Sequence, residues 1–170
     1  MRSLALSMLL LLFTVNTSVA QSDSSDCPCC TKQHAAFDFW VGDWNVFNTA
    51  GTQVGENRIE KVENNCVLTE LWTGAAGGTG RSFNYFNAAD STWNQLWLDN
   101  KGTKLELKGR PAQGKMVLQS ELIPGRQIDF YRNRITWTAN ADGTVTQLWE
   151  ILDKDNKVLQ TAFEGIYKRK

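Results

Sequence analysis

One residue type is nearly missing from this chain. Histidine occurs once among the 170 residues, as His34, in a polar segment ahead of the first predicted strand. A Ser–His–acid triad needs a histidine that the fold brings beside the nucleophile. We therefore predict no such triad and assign no catalytic residues.

An excess of charge of either sign is also missing. The sequence has 18 basic and 18 acidic residues, and loss of Arg2 with an N-terminal leader would leave one more acidic than basic residue. Nucleic acids and anionic membrane surfaces attract proteins through clustered positive charge. The balanced charge therefore excludes both as expected partners.

Long apolar runs are absent after residue 13. Residues 4–13 are apolar, they follow Arg2, and Ser18-Val19-Ala20 fits the small-x-small cleavage rule. This order is typical of a secretory signal peptide over 1–20, with Gln21 as the new N-terminus. The run is too short to span a membrane comfortably, and no cysteine stands at the cut to anchor a lipoprotein. We expect a secreted or periplasmic protein without a membrane anchor once the signal peptide is removed.

The four cysteines are Cys27, Cys29, Cys30 and Cys66. In an exported protein they meet an oxidising compartment, so disulfides are expected. Ring strain argues against a bond between the adjacent Cys29 and Cys30, and Cys66 has no local partner. We predict that Cys66 bonds Cys29 or Cys30, with Cys30–Cys66 as the preferred pair, and that this bridge ties down an exposed leader, residues 21–36. A metal site with His34 is the alternative, although C-x-C-C-x3-H is not a standard zinc spacing.

Helical periodicity is weak throughout the chain. From Trp44 onward apolar and polar residues alternate, and turn residues interrupt the alternation at short intervals, which indicates β-strands. The ten predicted strands cover residues 44–47, 54–62, 66–72, 82–86, 92–98, 103–108, 115–122, 127–138, 144–152 and 158–167. An open meander of this size would leave long bare edges. We therefore predict an all-β domain over 37–170, a closed antiparallel up-and-down β-barrel, with a β-sandwich as the alternative.

Four aromatic rings stand within eight residues at the start of this domain, in Phe37-Asp38-Phe39-Trp40-Val41-Gly42-Asp43-Trp44. Each ring buries on the order of 150–250 Å², which is typical of a core and not of a surface segment. We predict a short helix around 35–41 that caps one end of the barrel.

A glycine-rich stretch at 74–80 has two interpretations. Its spacing is not that of a phosphate-binding loop, and it does not open a helix, as phosphate binding at a helix N-terminus requires. We interpret it as a mobile connection between strands, placed where it could gate a barrel mouth.

Two predicted strands place tryptophan and glutamine on a common face. Side chains alternate across a strand, so Trp93, Gln95 and Trp97 share one face, as do Gln147 and Trp149. Apolar faces turn inward in a closed barrel, and buried amide and indole groups need polar partners. We predict a small-molecule pocket on the barrel axis, with a filled aromatic core as the alternative. The predicted ligand-binding residues are Trp93, Gln95, Trp97, Trp137, Gln147 and Trp149, with Tyr85 and Arg81 near a mouth.

Other charged side chains give weaker signals. Arg132 and Arg134 could pair a ligand carboxylate bidentately, but two arginines on one strand face more often point to solvent. Glu70, Glu106, Glu150 and Glu164 all lie within predicted strands. Glutamate on a strand usually takes the wet face, and only convergence of two of these side chains would allow acid–base chemistry.

The same segments resemble a known group of proteins. Residues 37–44, 66–72, 93–97, 135–138, 147–150 and 163–167 are similar to the bacterial secreted FDFW-x-G-x-W domain family of unknown function, a calycin-like group. The resemblance implies a barrel of lipocalin or nitrobindin type and carries no settled activity. Nitrobindin-like barrels hold haem through a late histidine, and this sequence has no histidine after His34, so neither haem nor another cofactor is expected.

Three functions are compatible with such a barrel, because fold alone does not decide between them. The first, which we favour, is an exported protein that binds a small apolar or aromatic molecule in the barrel. The second is a barrel enzyme, since calycin-like folds also host isomerases and decarboxylases. The third is a filled barrel that serves as an accessory or interaction module.

Overall fold

A computed structural model describes residues 27–126 and 128–170 of the chain. The predicted signal peptide, residues 1–20, and the first part of the predicted leader, residues 21–26, lie outside the described residues. The described part consists of β-strands joined by turns, preceded by one short 3-10 turn.

The strands follow one another along the chain with short connections between them. They are β1 (Gly42–Phe47), β2 (Gln53–Val62), β3 (Val67–Gly74), β4 (Thr79–Asn87), β5 (Thr92–Asp99), β6 (Lys104–Ala112), β7 (Lys115–Gln119), β8 (Ile123–Pro124), β9 (Phe130–Ala139), β10 (Val145–Asp153) and β11 (Val158–Arg169).

Ten of these strands form a closed antiparallel barrel. Each pairs with its neighbours in chain order, except that β7 pairs with β9 because the two-residue β8 pairs only with the start of β9. The ring closes where β11 pairs with β1, with Tyr167 opposite Val46. Closure removes the bare edges that an open sheet of this size would have. The all-β, ten-stranded antiparallel barrel is confirmed, and the β-sandwich is excluded.

The strand boundaries differ from the prediction at two connections. Within the glycine-rich stretch 74–80 the connection is only residues 75–78, because the Gly74 N–H donates to the Gly78 carbonyl at 2.7 Å and closes a tight hairpin. The predicted strand 127–138 begins at Phe130, and the unpredicted β8 precedes it. Alternation locates a strand well, but the residue at which it ends depends on its partner.

The predicted helix around 35–41 is not confirmed as a helix of that length. Residues Asp38–Trp40 form a single 3-10 turn, closed by the bond from the Trp40 N–H to the Phe37 carbonyl at 3.1 Å. Val41 is already extended, since β1 starts at Gly42. The segment therefore turns the chain into the first strand within three residues.

The aromatic rings of this turn fill one end of the barrel, called here the capped end. Phe37 and Trp40 are fully buried and stack with ring centroids 4.9 Å apart. Phe37 also meets Trp93 and Trp137 edge-on, at 5.6 Å and 5.1 Å. The rings expected to form a core therefore do so, at the end of the barrel where β5 begins and β9 ends.

The N-terminal segment contains one internal disulfide and is tied to the barrel by a second. Cys29 bonds Cys66, in the turn between β2 and β3, and Cys27 bonds Cys30. This corrects the preferred prediction of a Cys30–Cys66 pair. The reason is a tight turn in which the Cys30 N–H donates to the Cys27 carbonyl, which brings those two Cα atoms to 5.4 Å and leaves the buried Cys29 for Cys66.

The cysteine pairing also decides against the metal alternative. Every cysteine of the chain lies in one of the two disulfides, and a metal would need the free thiolates. Within residues 27–126 and 128–170, no three His, Cys, Asp or Glu side chains converge as metal ligands.

Candidate functional site

The end of the barrel opposite the cap contains a cavity of about 250 Å³. Its walls are mainly aromatic, with a few polar groups among them. The lining residues are Glu70, Trp72, Gln95, Trp97, Leu105, Ile135, Trp137, Gln147, Trp149, Ala162, Phe163 and Tyr167. Ala162 is exposed, so the cavity reaches the surface beside it.

Strand alternation accounts for most of this lining. The lining residues of β5, β9 and β10 are two apart along each strand and so share its inner face, as the sequence pattern requires. Five predicted ligand-binding residues therefore meet around one space. They are Gln95, Trp97, Trp137, Gln147 and Trp149.

The other three predicted residues do not line the cavity. Trp93 points inward but lies under the cap, where its indole N–H donates to the Gln33 carbonyl at 3.1 Å. Arg81 and Tyr85 lie on the outer surface, since the buried residues of β4 are Gly80, Ser82 and Asn84. Neither side chain therefore reaches into the cavity.

Two glycines allow aromatic rings to lie flat against the barrel wall. A Cβ atom on Gly80 would stand 2.2 Å from the Trp97 ring, and one on Gly55 would stand 2.5 Å from the Trp72 ring. Each ring covers a glycine on the neighbouring strand instead of projecting across the lumen. The missing side chains thus leave the lumen open between the aromatic walls.

A chain of polar side chains crosses the inner wall over three strands. Gln95 on β5 donates to Asn84 Oδ1 at 2.8 Å, and Asn84 donates to Ser82 Oγ at 2.8 Å. Ser82 in turn donates to Glu70 Oε2 on β3 at 2.7 Å. All four residues are buried, and their mutual hydrogen bonds compensate for the loss of water.

A second branch reaches Glu70 from the other side. Asn57 on β2 donates to Glu70 Oε1 at 2.7 Å and lies 3.4 Å from the Tyr167 hydroxyl. Tyr167 donates to Gln147 Oε1, so the amino group of Gln147 remains available to a molecule in the cavity. Glu70 is therefore the point at which both branches of the network meet.

Burial changes the acid–base behaviour of both ionisable lining residues. Desolvation raises the pKa of Glu70, and the hydrogen bonds from Ser82 and Asn57 offset this in part. Desolvation, reinforced by the charge of Glu70, raises the pKa of Tyr167 well above its usual value. Tyr167 is thus a neutral hydrogen-bonding group at physiological pH. The protonation of Glu70 depends on the balance between its burial and its hydrogen bonds.

Glu70, where the two branches meet, is not among the predicted ligand-binding residues. Glutamate is usually exposed on strands, yet Glu70 alternates with Leu68 and Trp72, which also face inward. The pattern Leu-x-Glu-x-Trp therefore indicates that Glu70 faces inward. Glu106 and Glu164 are exposed, as expected for strand glutamates.

The remaining charged candidates lie away from the cavity. Arg134 pairs with Glu150 across β9 and β10, with Arg134 Nη2 and Glu150 Oε2 2.9 Å apart. Asn133, Ile135 and Trp137 are the buried residues of β9, so Arg132 and Arg134 occupy its outer face.

The described residues include no helix with the length and apolarity needed to span a membrane.

No protein-family model matches the chain, and no curated protein sequence matches it. The resemblance to the FDFW-x-G-x-W family thus stays a proposal that rests on the aromatic and strand motifs themselves. The cavity and its polar network are therefore the features that bear on function.

Proposed function

We propose that the mature protein is an exported barrel of the FDFW-x-G-x-W type that binds a small apolar or aromatic molecule in its lumen. The observation that carries the proposal is the cavity at the open end, where Trp97 and Trp149 stand among directed polar groups. Aromatic walls with a few fixed polar groups are the usual make-up of a small-molecule pocket. The two disulfides are compatible with an extracellular or periplasmic location.

The size of the cavity limits the ligand. Its volume of about 250 Å³ lies just below the roughly 300–1,000 Å³ of typical ligand pockets. The indole N–H of Trp137, a lining residue, is buried and has no hydrogen-bond partner among the described residues. These features favour a single-ring molecule with one or two polar groups. The same cavity argues against a completely filled barrel.

A barrel enzyme of the isomerase or decarboxylase type is the second candidate. Glu70 favours it, because a buried carboxyl whose pKa is raised suits proton transfer. The two candidates differ in the fate of the bound molecule. A binding protein returns its ligand unchanged after prolonged incubation, whereas an enzyme converts it, which NMR of the recovered ligand distinguishes.

Binding can be tested with benzyl alcohol, a neutral single-ring molecule with one hydroxyl. Calorimetric titration of the mature protein should show binding with a negative heat-capacity change, the mark of apolar burial. Ala162→Trp places an indole at the mouth and should weaken binding at least about tenfold, or 1.4 kcal/mol. Ala88→Trp, in the exposed turn after β4 at the capped end, is the matched control.

The proposal fails if wild-type protein does not bind this probe. It also fails if wild type, Ala88→Trp and Ala162→Trp bind the probe equally well, because the probe would then lie outside the cavity.

A further inference from the structure

The carboxyl group of Glu70 lacks a cationic partner within the described residues. The Glu70 residue is 7% exposed, and its oxygens accept hydrogen bonds from the neutral groups of Asn57 and Ser82. The ion pairs of the described chain involve other acidic residues, and no Lys, Arg or His lines the cavity. Buried carboxylates are normally paired with a cation, so this site is electrostatically incomplete.

The direction of the hydrogen bonds points to a negative charge at Glu70. In the branch from β5, each donor aims toward Glu70, from Gln95 to Asn84, then Ser82, then the carboxyl. The Asn57 amino group donates a hydrogen bond to the other oxygen of the carboxyl. A carboxylate accepts on both oxygens, whereas a protonated carboxyl would have to donate from one of them. The hydrogen bonds from Ser82 and Asn57 therefore favour the ionised form and oppose the desolvation that raises the pKa of Glu70.

The aromatic walls offer a second attraction for a cation. Trp72, Trp97, Trp149 and Phe163 line the same cavity as Glu70, and the faces of such rings attract cations. Positive side chains of this protein occupy other rings, with Lys168 over Phe47 at 4.8 Å and Arg169 over Trp44 at 4.4 Å. The rings of the cavity are thus free of protein cations within the described chain.

We propose that the ligand of the cavity is a small organic ammonium ion, whose charge pairs with Glu70 while its apolar body packs between Trp97 and Trp149. This inference rests on the proposed binding function and names the ligand class. The ammonium would complete the buried ion pair and donate to the carboxylate, and the single-ring size of the cavity accommodates its body.

The test compares benzylammonium with benzyl alcohol, which share a benzyl body and differ in the charged group. Both are titrated calorimetrically into wild-type protein at pH 7, where an alkylammonium is charged. We expect benzylammonium to bind at least about tenfold more tightly. In Glu70→Gln, which keeps the shape and removes the charge, this preference should fall to about twofold or less.

A control variant separates the local charge from the overall charge of the protein. Glu106 is exposed on β6 and pairs with Lys104 on the outer surface, so Glu106→Gln should keep the full preference for benzylammonium. If Glu70→Gln does not fold, the comparison of benzylammonium with benzyl alcohol in wild-type protein still tests the ammonium inference.

Equal affinity of wild type for the two probes would overturn the ammonium inference and leave the proposed binding function intact. Failure of both probes to bind would overturn both proposals. A preference for benzylammonium that survives unchanged in folded Glu70→Gln would overturn the role of Glu70.

Discussion

Asn57 and Glu70 meet inside the barrel, where the Asn57 amino group donates to Glu70 Oε1 across 2.7 Å between β2 and β3. The same asparagine has a buried Oδ1 with no hydrogen-bond partner among the described residues. An isolated barrel core would be more stable with apolar residues at such positions, since buried polar groups are costly when incompletely paired. This pair therefore lowers the stability of the barrel, a cost that the proposed binding function accounts for.

The first prediction concerns pH. Burial raises the folded-state pKa of Glu70 above its unfolded value, so the folded state holds the proton more tightly. The free energy of unfolding should therefore fall as pH rises from about 4.3 through the raised value, by up to about 1.4 kcal/mol per pH unit. Glu70→Gln removes this dependence, and its stability relative to wild type should increase with pH.

Urea unfolding between pH 4 and 8 measures this difference. Exposed Glu106→Gln serves as the control and should show no comparable trend. A constant difference between Glu70→Gln and wild type across the range would show that the Glu70 carboxyl is not destabilised by burial.

The second prediction concerns the glycine beneath Trp97. Gly80→Ala places a Cβ atom 2.2 Å from that ring, so the indole must move toward the lumen. We expect at least about tenfold weaker binding of benzyl alcohol and a loss of roughly 1–3 kcal/mol in stability from overpacking. Gly78→Ala, where a Cβ would meet nothing within 4 Å, should leave binding unchanged. Wild-type affinity in Gly80→Ala would contradict the arrangement.

The third prediction separates the two ends of the barrel. Trp40 is fully buried under Phe37 and beside Trp137, so Trp40→Ala should cost about 3–5 kcal/mol in the free energy of unfolding. Trp149 is only partly buried and borders the cavity, so Trp149→Ala should cost clearly less. Equal losses in urea unfolding would show that the capped end is not the main core.

The fourth prediction concerns the disulfides. Cys29–Cys66 closes a loop with a sequence separation of 37 and Cys27–Cys30 one of 3. In the chain-entropy model, replacing the first pair by alanine should cost roughly 4 kcal/mol and replacing the second about 2 kcal/mol. Unfolding of the two double variants, with non-reducing peptide mapping of wild type, checks this. A Cys30–Cys66 peptide or the reverse order of stabilities would contradict the pairing.

Alternation was sufficient to predict which way most side chains point, but not how deep they lie. Trp93 and Trp97 share a face, as predicted, yet Trp93 is covered by the cap and Trp97 borders the cavity. Depth depends on how the strands are staggered around the barrel and on where the N-terminal segment enters, which are properties of the whole fold.

The differences between the sequence predictions and the structure have different physical reasons. Arg81 adjoins the glycine-rich stretch, but alternation with Gly80 and Ser82 places its side chain on the outer face. The cysteine pairing depended on a local turn at 27–30 that the spacing does not determine. For Glu70, the usual exposure of glutamate predicts the outer face, whereas alternation with Leu68 and Trp72 predicts the buried position that the structure has.

The most direct test of the central claim is a crystal structure of the mature protein with benzyl alcohol. The account predicts the ring in the open end of the lumen between Trp97 and Trp149, with the hydroxyl within hydrogen-bonding distance of Glu70, Gln95 or Gln147. A lumen filled by protein side chains, or a ligand bound only on the outer surface of the barrel, would contradict it.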